Sequence, residues 1–169
     1  MREVVIHDTL TGSIRRLEPR EPPKVGIYAC GPTVYDRIHV GNARPYVVFS
    51  LFKRFLTRLG YHVRLVINIT DINDKIYEAA RRAGVASTEL AAEMTRHYIA
   101  DTDRLGLGRP DAEPRASETI DHIVALIDEL VRQGHAYVVD GDVYFRVRSF
   151  ADYGKLSNRS LEEMEQGEG

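Results

Sequence analysis

A single cysteine in 169 residues leaves no internal disulfide framework. That usage fits a reducing cytoplasm. It also means that no zinc site with two or more cysteine ligands can close within this chain. No apolar run approaches the roughly 20 residues a membrane-spanning helix needs. The opening Met1-Arg2-Glu3-Val4-Val5-Ile6 is expected to hold no secretory leader, because charge and turn residues interrupt its short apolar stretch. Internal repeats and low-complexity tracts are absent. So are the Gly-x-Gly-x-x-Gly dinucleotide pattern and the Gly-Lys-Ser/Thr phosphate loop.

What is present reads as globular. Hydrophobic residues make up 43% and charged residues 28%, near the average for folded domains. The length matches about one ordinary domain and suffices for a self-supporting core. The net charge of −2 hides an asymmetry. Residues 1–64 hold 11 Lys/Arg against 5 Asp/Glu, and residues 65–169 hold 12 against 20. The positive part is where a phosphate-bearing ligand is expected, although two differently solvated faces would give the same numbers.

Turn residues and periodicity divide the chain. Val4–His7 and Ser13–Leu17 read as a small hairpin around Thr9–Gly12, and the proline-rich stretch 18–23 as a linker. Lys24–Cys30 reads as a strand buried on both faces. A helix follows, with Asn42 as N-cap, Pro45 in its first turn and Gly60 as its stop. Its expected buried stripe is Val48, Leu51, Phe52, Phe55, Leu56 and Leu59. Tyr61–Ile67 is a second strand, so strand, helix and strand form a β–α–β unit with parallel strands and a right-handed crossover.

Further on, Asp74–Ala83 and Thr88–Leu105 read as helices, the latter capped by Ser87. Residues 106–114 read as a loop. Ser117 is expected to cap a helix with the stripe Ile120, Ile123, Val124, Ile127, Leu130 and Val131, stopped by Gly134. Ala136–Val139 and Asp142–Val147 flank Asp140-Gly141, a type I′ hairpin signal. The acidic tail 157–169 is expected to fray.

The stretch from Cys30 to Arg44 carries the chemistry. In a parallel α/β sheet, ligands bind beyond the carboxyl ends of the strands. A helix N-terminus there offers unpaired N–H groups to an anion. His39 and Asn42 bracket Gly41, which lets a ligand approach the backbone. These residues alone favour a nucleotide phosphate, with a capped helix and an incidental histidine as the alternative.

His39-Val40-Gly41-Asn42 resembles the HIGH signature of class I aminoacyl-tRNA synthetases. The blocks Tyr28–Asp36, Asn68–Lys75, Pro114–Ile120, Gly141–Phe145 and Tyr153–Ser157 resemble the cysteinyl-tRNA synthetase family in order and spacing, from about residue 4 to residue 163. The resemblance implies an α/β chain: the first half of a class I synthetase Rossmann-like nucleotide-binding fold plus the start of the inserted connective domain. Its expected division is 1–23 hairpin and linker, 24–113 catalytic half-fold, and 114–169 connective α+β domain.

The implied activity is ATP-dependent activation of cysteine to cysteinyl-adenylate and its transfer to tRNA-Cys, without any membrane association. Cys30 would be the first ligand of a zinc ion holding the substrate thiolate, a bond that discriminates against serine. Gly31 and Thr70 would line the amino-acid pocket, although local turn bonding would also explain Thr70. His39, Gly41 and Asn42 would bind ATP, accompanied by Mg2+, and His39 and Asn42 would stabilise the triphosphate during attack. The family commonly has His at the position of Asn42, and an amide still donates. Asp71, Asn73, Asp74 and Lys75 open a helix, where a dipole role and a site role both remain open. His7, His62, His97, His122 and His135 fit no motif.

The family's second zinc-binding Cys, its Lys-Met-Ser-Lys-Ser loop and its anticodon-binding domain have no counterpart here. The expectation is therefore an N-terminal fragment, inactive without the missing C-terminal half. It should expose apolar area around Val25, Ile27, Val66 and Ile67. Two other readings stand beside it: a ligase joining cysteine to an amino-sugar in thiol biosynthesis, and a non-catalytic module binding nucleotide, RNA or a partner protein.

Overall fold

The computed structural model describes residues 3–165. In chain order its elements are β1 (Val5–Asp8), β2 (Ser13–Arg16), β3 (Lys24–Ala29), α1 (Val40–Arg58), β4 (His62–Ile67), α2 (Asp74–Ala83), α3 (Ser87–Arg104), α4 (Ile120–Arg132), β5 (Ala136–Val139), β6 (Asp142–Phe145) and α5 (Leu161–Glu165). They fall into two compact units, residues 18–120 and residues 3–17 together with 121–165. Among the described residues, no helix is long and apolar enough to cross a membrane.

The larger unit is built on the expected β–α–β arrangement. β3 and β4 pair in parallel, with Lys24 opposite His62 and Ala29 opposite Ile67, and α1 connects them. Residues 111–116, expected in part to be loop, extend this sheet. Ile67 N donates to Ala112 O at 3.1 Å and Ile69 N to Pro114 O at 2.8 Å, and the bridges Val66–Ala112 and Ile69–Arg115 are parallel. Pro114 offers no N–H, so the pairing stays a set of isolated bridges instead of a continuous ladder.

β3 is buried on one face, not two. Val25 and Ala29 are buried and Ile27 half-buried, whereas Lys24 and Gly26 are exposed and Tyr28 is 65% exposed. β4 alternates in the same way, with Leu65 and Ile67 buried and His62 and Arg64 open. The apolar exposure expected at Val25, Ile27, Val66 and Ile67 is therefore not found, since two are buried and two half-buried. The face that carries Ile27 and Ile67 meets the helices: Tyr46 of α1 and Tyr98 of α3 join Ala29, Leu65, Ile67, Ile69 and Ile76 in one core. The open face is largely polar and cationic.

α1 buries only part of its expected stripe, with Leu56 buried and Phe52 and Leu59 half-buried. Its buried residues are Ala43, Tyr46, Ser50 and Leu56, while Val48, Leu51 and Phe55 are exposed. Tyr46 meets Tyr98 edge-on, with ring centroids 5.4 Å apart and an interplanar angle of 69°. Ser50 is tolerated inside because its hydroxyl donates to Leu107 O at 2.5 Å. The N-cap is His39, three residues before the expected Asn42. At the other end Leu59 is the C-cap, and Gly60 follows at φ 92°, as its expected stop role requires. α3 begins at Ser87 itself after an Ala86 N-cap without a side-chain bond, so Ser87 is not the cap.

In the smaller unit, β1 and β2 form the expected antiparallel hairpin. β5 and β6 form another, whose turn residues Asp140 and Gly141 both have positive φ, 51° and 92°. β6 ends at Phe145, earlier than expected, ahead of a 3-10 turn at Val147–Ser149. No α4 residue is fully buried. Of its expected stripe, Ile120, Ile123 and Val124 are exposed and Ile127, Leu130 and Val131 half-buried. The tail expected to fray contains α5; residues 166–169 lie outside the described residues.

Candidate active site

Parallel pairing brings the carboxyl ends of β3 and β4 to one edge, and the segments 30–39 and 68–73 leave from there. Because Ala29 lies opposite Ile67, Gly31 comes beside Asn68. Gly31 N donates to Asn68 Oδ1 at 3.0 Å, and Asn68 Nδ2 donates to Thr70 Oγ1 at 3.2 Å. Thr70 N donates to Pro32 O at 2.9 Å, and Val34 N donates to Thr70 O at 3.2 Å. A Cβ on Gly31 would stand 1.5 Å from Asn68 O, so only glycine fits this approach.

The turn into α1 is a closed capping box. His39 Nδ1 accepts from Gly41 N at 3.1 Å, and Asn42 Oδ1 accepts from His39 N at 3.3 Å. An accepting Nδ1 leaves the ring proton on Nε2, and an accepting Oδ1 leaves the Asn42 amide N–H groups as donors. A Cβ on Gly41 would lie 2.8 Å from His39 Cε1, so Gly41 makes room for the capping ring. The first turn of α1 holds no acidic residue, which leaves its partial positive charge available to an anion.

Cys30, Gly31, His39, Gly41 and Asn42 line one cavity of about 410 Å³, together with Tyr35, Arg37, Tyr46 and Lys75. Five of the six residues singled out in the sequence thus converge. Thr70 is not in the lining; it stands behind, held by Asn68. Burial pushes the Tyr46 phenol up to about 12, with the Cys30 charge adding to the effect.

Sequence reasoning missed two residues here. Asn68 ties Gly31 to Thr70. Arg37 anchors the loop before His39 to α3 through Nη2 bonds of 2.8 and 3.0 Å to the Asp101 carboxylate. Lys75, whose role the sequence leaves open between helix dipole and site, lines the cavity. No local pattern marks the Asn68 and Arg37 ties, because each joins positions 37 or more residues apart.

Two of the residues that open α2 have structural duties. Asn73 caps the helix by accepting from Lys75 N at 3.0 Å. Asp71 accepts from Ser117 N at 2.9 Å and from Ser117 Oγ at 2.5 Å. Ser117 begins a 3-10 turn ahead of α4 and serves as donor to Asp71, not as a simple cap. Of the unmotivated histidines, His97 pairs with Glu93 at 3.6 Å, and His135 Nδ1 meets Ser149 Oγ at 2.9 Å.

Among the described residues, no group of three or more His, Cys, Asp and Glu side chains could hold a metal ion, and Cys30 is exposed. A lone thiol does not hold a four-coordinate zinc ion, so these residues do not make the zinc site that the resemblance implies. A second cavity, of about 210 Å³, lies between α1, α3 and residues 107–110. Three of its polar side chains are already engaged: Lys53 with Asp111, Arg109 with Glu113, Ser50 with Leu107 O.

A parallel β–α–β unit whose strand ends open onto a capped, anion-ready helix is the arrangement of class I aminoacyl-tRNA synthetase catalytic folds, and solved structures bear this out. The chain superposes with a TM-score of 0.58 on a Mycobacterium tuberculosis methionyl-tRNA synthetase bound by methionyl-adenylate, at 20% identity over 75% of this chain and 29% of that one. With the ternary LeuRS–tRNA–LeuAMS complex of Agrobacterium radiobacter K84 agnB2 the TM-score is 0.61, at 20% identity over 71% of this chain and 16% of that one. The family model described as tRNA synthetases class I (C) catalytic domain matches residues 16–169, and the chain belongs to that family.

Among curated relatives, a cysteine–tRNA ligase of Caldicellulosiruptor saccharolyticus is 47% identical over 96% of this chain and 35% of its own length. One from an Anaeromyxobacter species is 50% identical over 97% of this chain and 34% of its own length. The chain therefore spans about a third of the curated relatives it matches.

Proposed function

We infer that this chain carries the ATP- and amino-acid-facing part of a cysteine–tRNA ligase, acting in the cytoplasm on ATP, cysteine and tRNA-Cys. The observation that supports this most is the capping box that sets His39 and Asn42 at a cavity shared with Cys30 and Gly31. In the proposed reaction, a cysteine carboxylate oxygen forms a bond to the α-phosphorus of ATP. The bond from that phosphorus to the bridging oxygen breaks, and pyrophosphate leaves with the electron pair. A ribose hydroxyl at the 3′ end of the tRNA then bonds to the cysteinyl carbonyl carbon, the acyl–phosphate bond breaks, and AMP leaves with the electron pair while the hydroxyl proton passes to its phosphate or to solvent.

His39 Nε2–H and the Asn42 amide donate toward the triphosphate, which Mg2+ accompanies, and Gly41 leaves room for it. Charge stabilisation and positioning suffice for such a transfer, with no protein nucleophile. Gly31 borders the amino acid, and Thr70 supports that pocket through Asn68. Cys30 is the one thiolate this chain offers to zinc, so the remaining ligands belong to parts of the ligase outside it. Residues from 114 onward are the proposed start of the inserted connective domain.

Cysteine-dependent ATP–pyrophosphate exchange tests the reading, in the full-length ligase and in this chain alone and supplemented with the remainder. Exchange specific to cysteine in the full-length protein is expected. Equal exchange with serine, or none with cysteine, would overturn it.

A further inference from the structure

Two cationic side chains line the cavity, Arg37 and Lys75. Arg37 is committed, with its guanidinium bonded to both oxygens of Asp101. Lys75 is not: among the described residues, no carboxylate forms an ion pair with it. Its ammonium lies 5.8 Å from the centroid of the Tyr35 ring, another lining residue. That places the charge in the cavity that the α1 N-terminal residues His39, Gly41 and Asn42 also line.

Its placement is built into the backbone. Asn73 caps α2 by accepting from Lys75 N, so the first turn that carries the lysine is fixed. The next residue, Ile76, is 1% exposed and belongs to the core. Lys75 thus leaves a rigid base. A triphosphate in this cavity would meet the α1 N-terminus, the two donors of the capping box and one uncommitted ammonium.

We propose that Lys75 is a phosphate-binding catalytic residue of adenylate formation, its ammonium contacting the ATP phosphates; this rests on the cysteine–tRNA ligase reading for the reaction it serves. As the carboxylate–phosphorus bond forms and pyrophosphate departs, charge grows on the phosphate oxygens. The Lys75 side chain neutralises that charge electrostatically, without transferring a group. The Tyr35 ring holds the ammonium in place through a cation–π contact until ATP arrives.

The test uses the full-length ligase with Lys75→Met, Lys75→Arg and Tyr35→Leu variants. ATP affinity is measured by equilibrium dialysis without amino acid, and cysteine-dependent ATP–pyrophosphate exchange is measured with ATP and cysteine varied separately. Lys75→Met should lower kcat/KM for ATP about 100-fold, the loss typical of removing one preorganised charge-stabilising donor. KM for cysteine and the melting temperature should stay near wild type. Lys75→Arg should recover most of the loss, and Tyr35→Leu should lose far less than Lys75→Met.

Wild-type kinetics in Lys75→Met would overturn the proposal. So would a loss equalled by Tyr35→Leu and accompanied by a matching fall in melting temperature, since the pair would then be purely structural. If the wild type fails to exchange with cysteine, the ligase reading fails by itself. ATP affinity then decides Lys75: a large drop in Lys75→Met upholds the phosphate contact, and an unchanged affinity removes it.

Discussion

Gly31 and Asn68 join the ends of the two central strands: the glycine N–H donates to the asparagine Oδ1 at 3.0 Å, and Asn68 O occupies the space a side chain on Gly31 would need. The same asparagine donates to Thr70. One carboxamide therefore sets the spacing between the segment carrying Cys30 and the one carrying Thr70.

Gly31→Ala should cost about 3 kcal/mol, at the upper end for overpacking, because the obstacle is backbone and cannot rotate away. Asn68→Ala should cost about 1–2 kcal/mol by leaving the Gly31 N–H without its partner. Urea denaturation of both variants checks the order, which a larger loss for Asn68→Ala would contradict.

The two apolar sides of α1 differ in consequence. Leu56 is 0% exposed and Leu51 is 65% exposed. Leu56→Ala should cost about 3 kcal/mol through lost burial and a residual cavity, and Leu51→Ala less than about 0.5 kcal/mol. Comparable losses in the two variants would mean that the helix is rotated from the orientation described.

Asn42→Ala should weaken α1 by about 1 kcal/mol, since the His39 N–H loses its acceptor. Gly41→Ala should act at the same place by displacing the His39 ring. Amide hydrogen exchange over residues 39–43 should rise in both. Unchanged protection would show that the capping box is not what holds the turn.

Asp111 links α1 to the sheet: its Oδ2 accepts from Lys53 Nζ at 2.7 Å and from Leu65 N at 2.6 Å. Partial burial works against its charge, but the Lys53 bond and the Leu65 N–H outweigh it and hold the carboxyl below its usual 3.8. A lowered folded value means that the stabilisation is present above the unfolded value and fades as pH falls through the folded one. Asp111→Asn should cost about 1 kcal/mol at pH 7, a figure kept small because the side chain is 38% exposed. The difference from wild type should shrink below about pH 4 in paired denaturation curves. A difference constant down to pH 2 would mean that the charge contributes nothing.

Much of the site is legible along the chain because its signals are local. Glycine and proline positions bound the β–α–β unit, and the spacing of His39, Gly41 and Asn42 marks a helix start beside a strand end. Their nearness along the chain places them at one strand end. Burial was less legible. Of the apolar stripe on α1, Leu56 is buried, yet Val48, Leu51 and Phe55 are exposed and the helix turns Ala43, Tyr46 and Ser50 inward. What selects that side is the distant Tyr98, which meets Tyr46, and Leu107, whose carbonyl satisfies Ser50.

The same holds for β3, whose apolar run suggested two buried faces although α1 and α3 cover only one. Local composition specifies where elements start, stop and turn, since backbone dihedrals and capping bonds reach only a few residues. Which face is buried, and which partner each of Asn68, Arg37 and Asp71 finds, depends on contacts between residues 37 to 64 apart. Those energies exist only once the parallel register has brought the strand ends together.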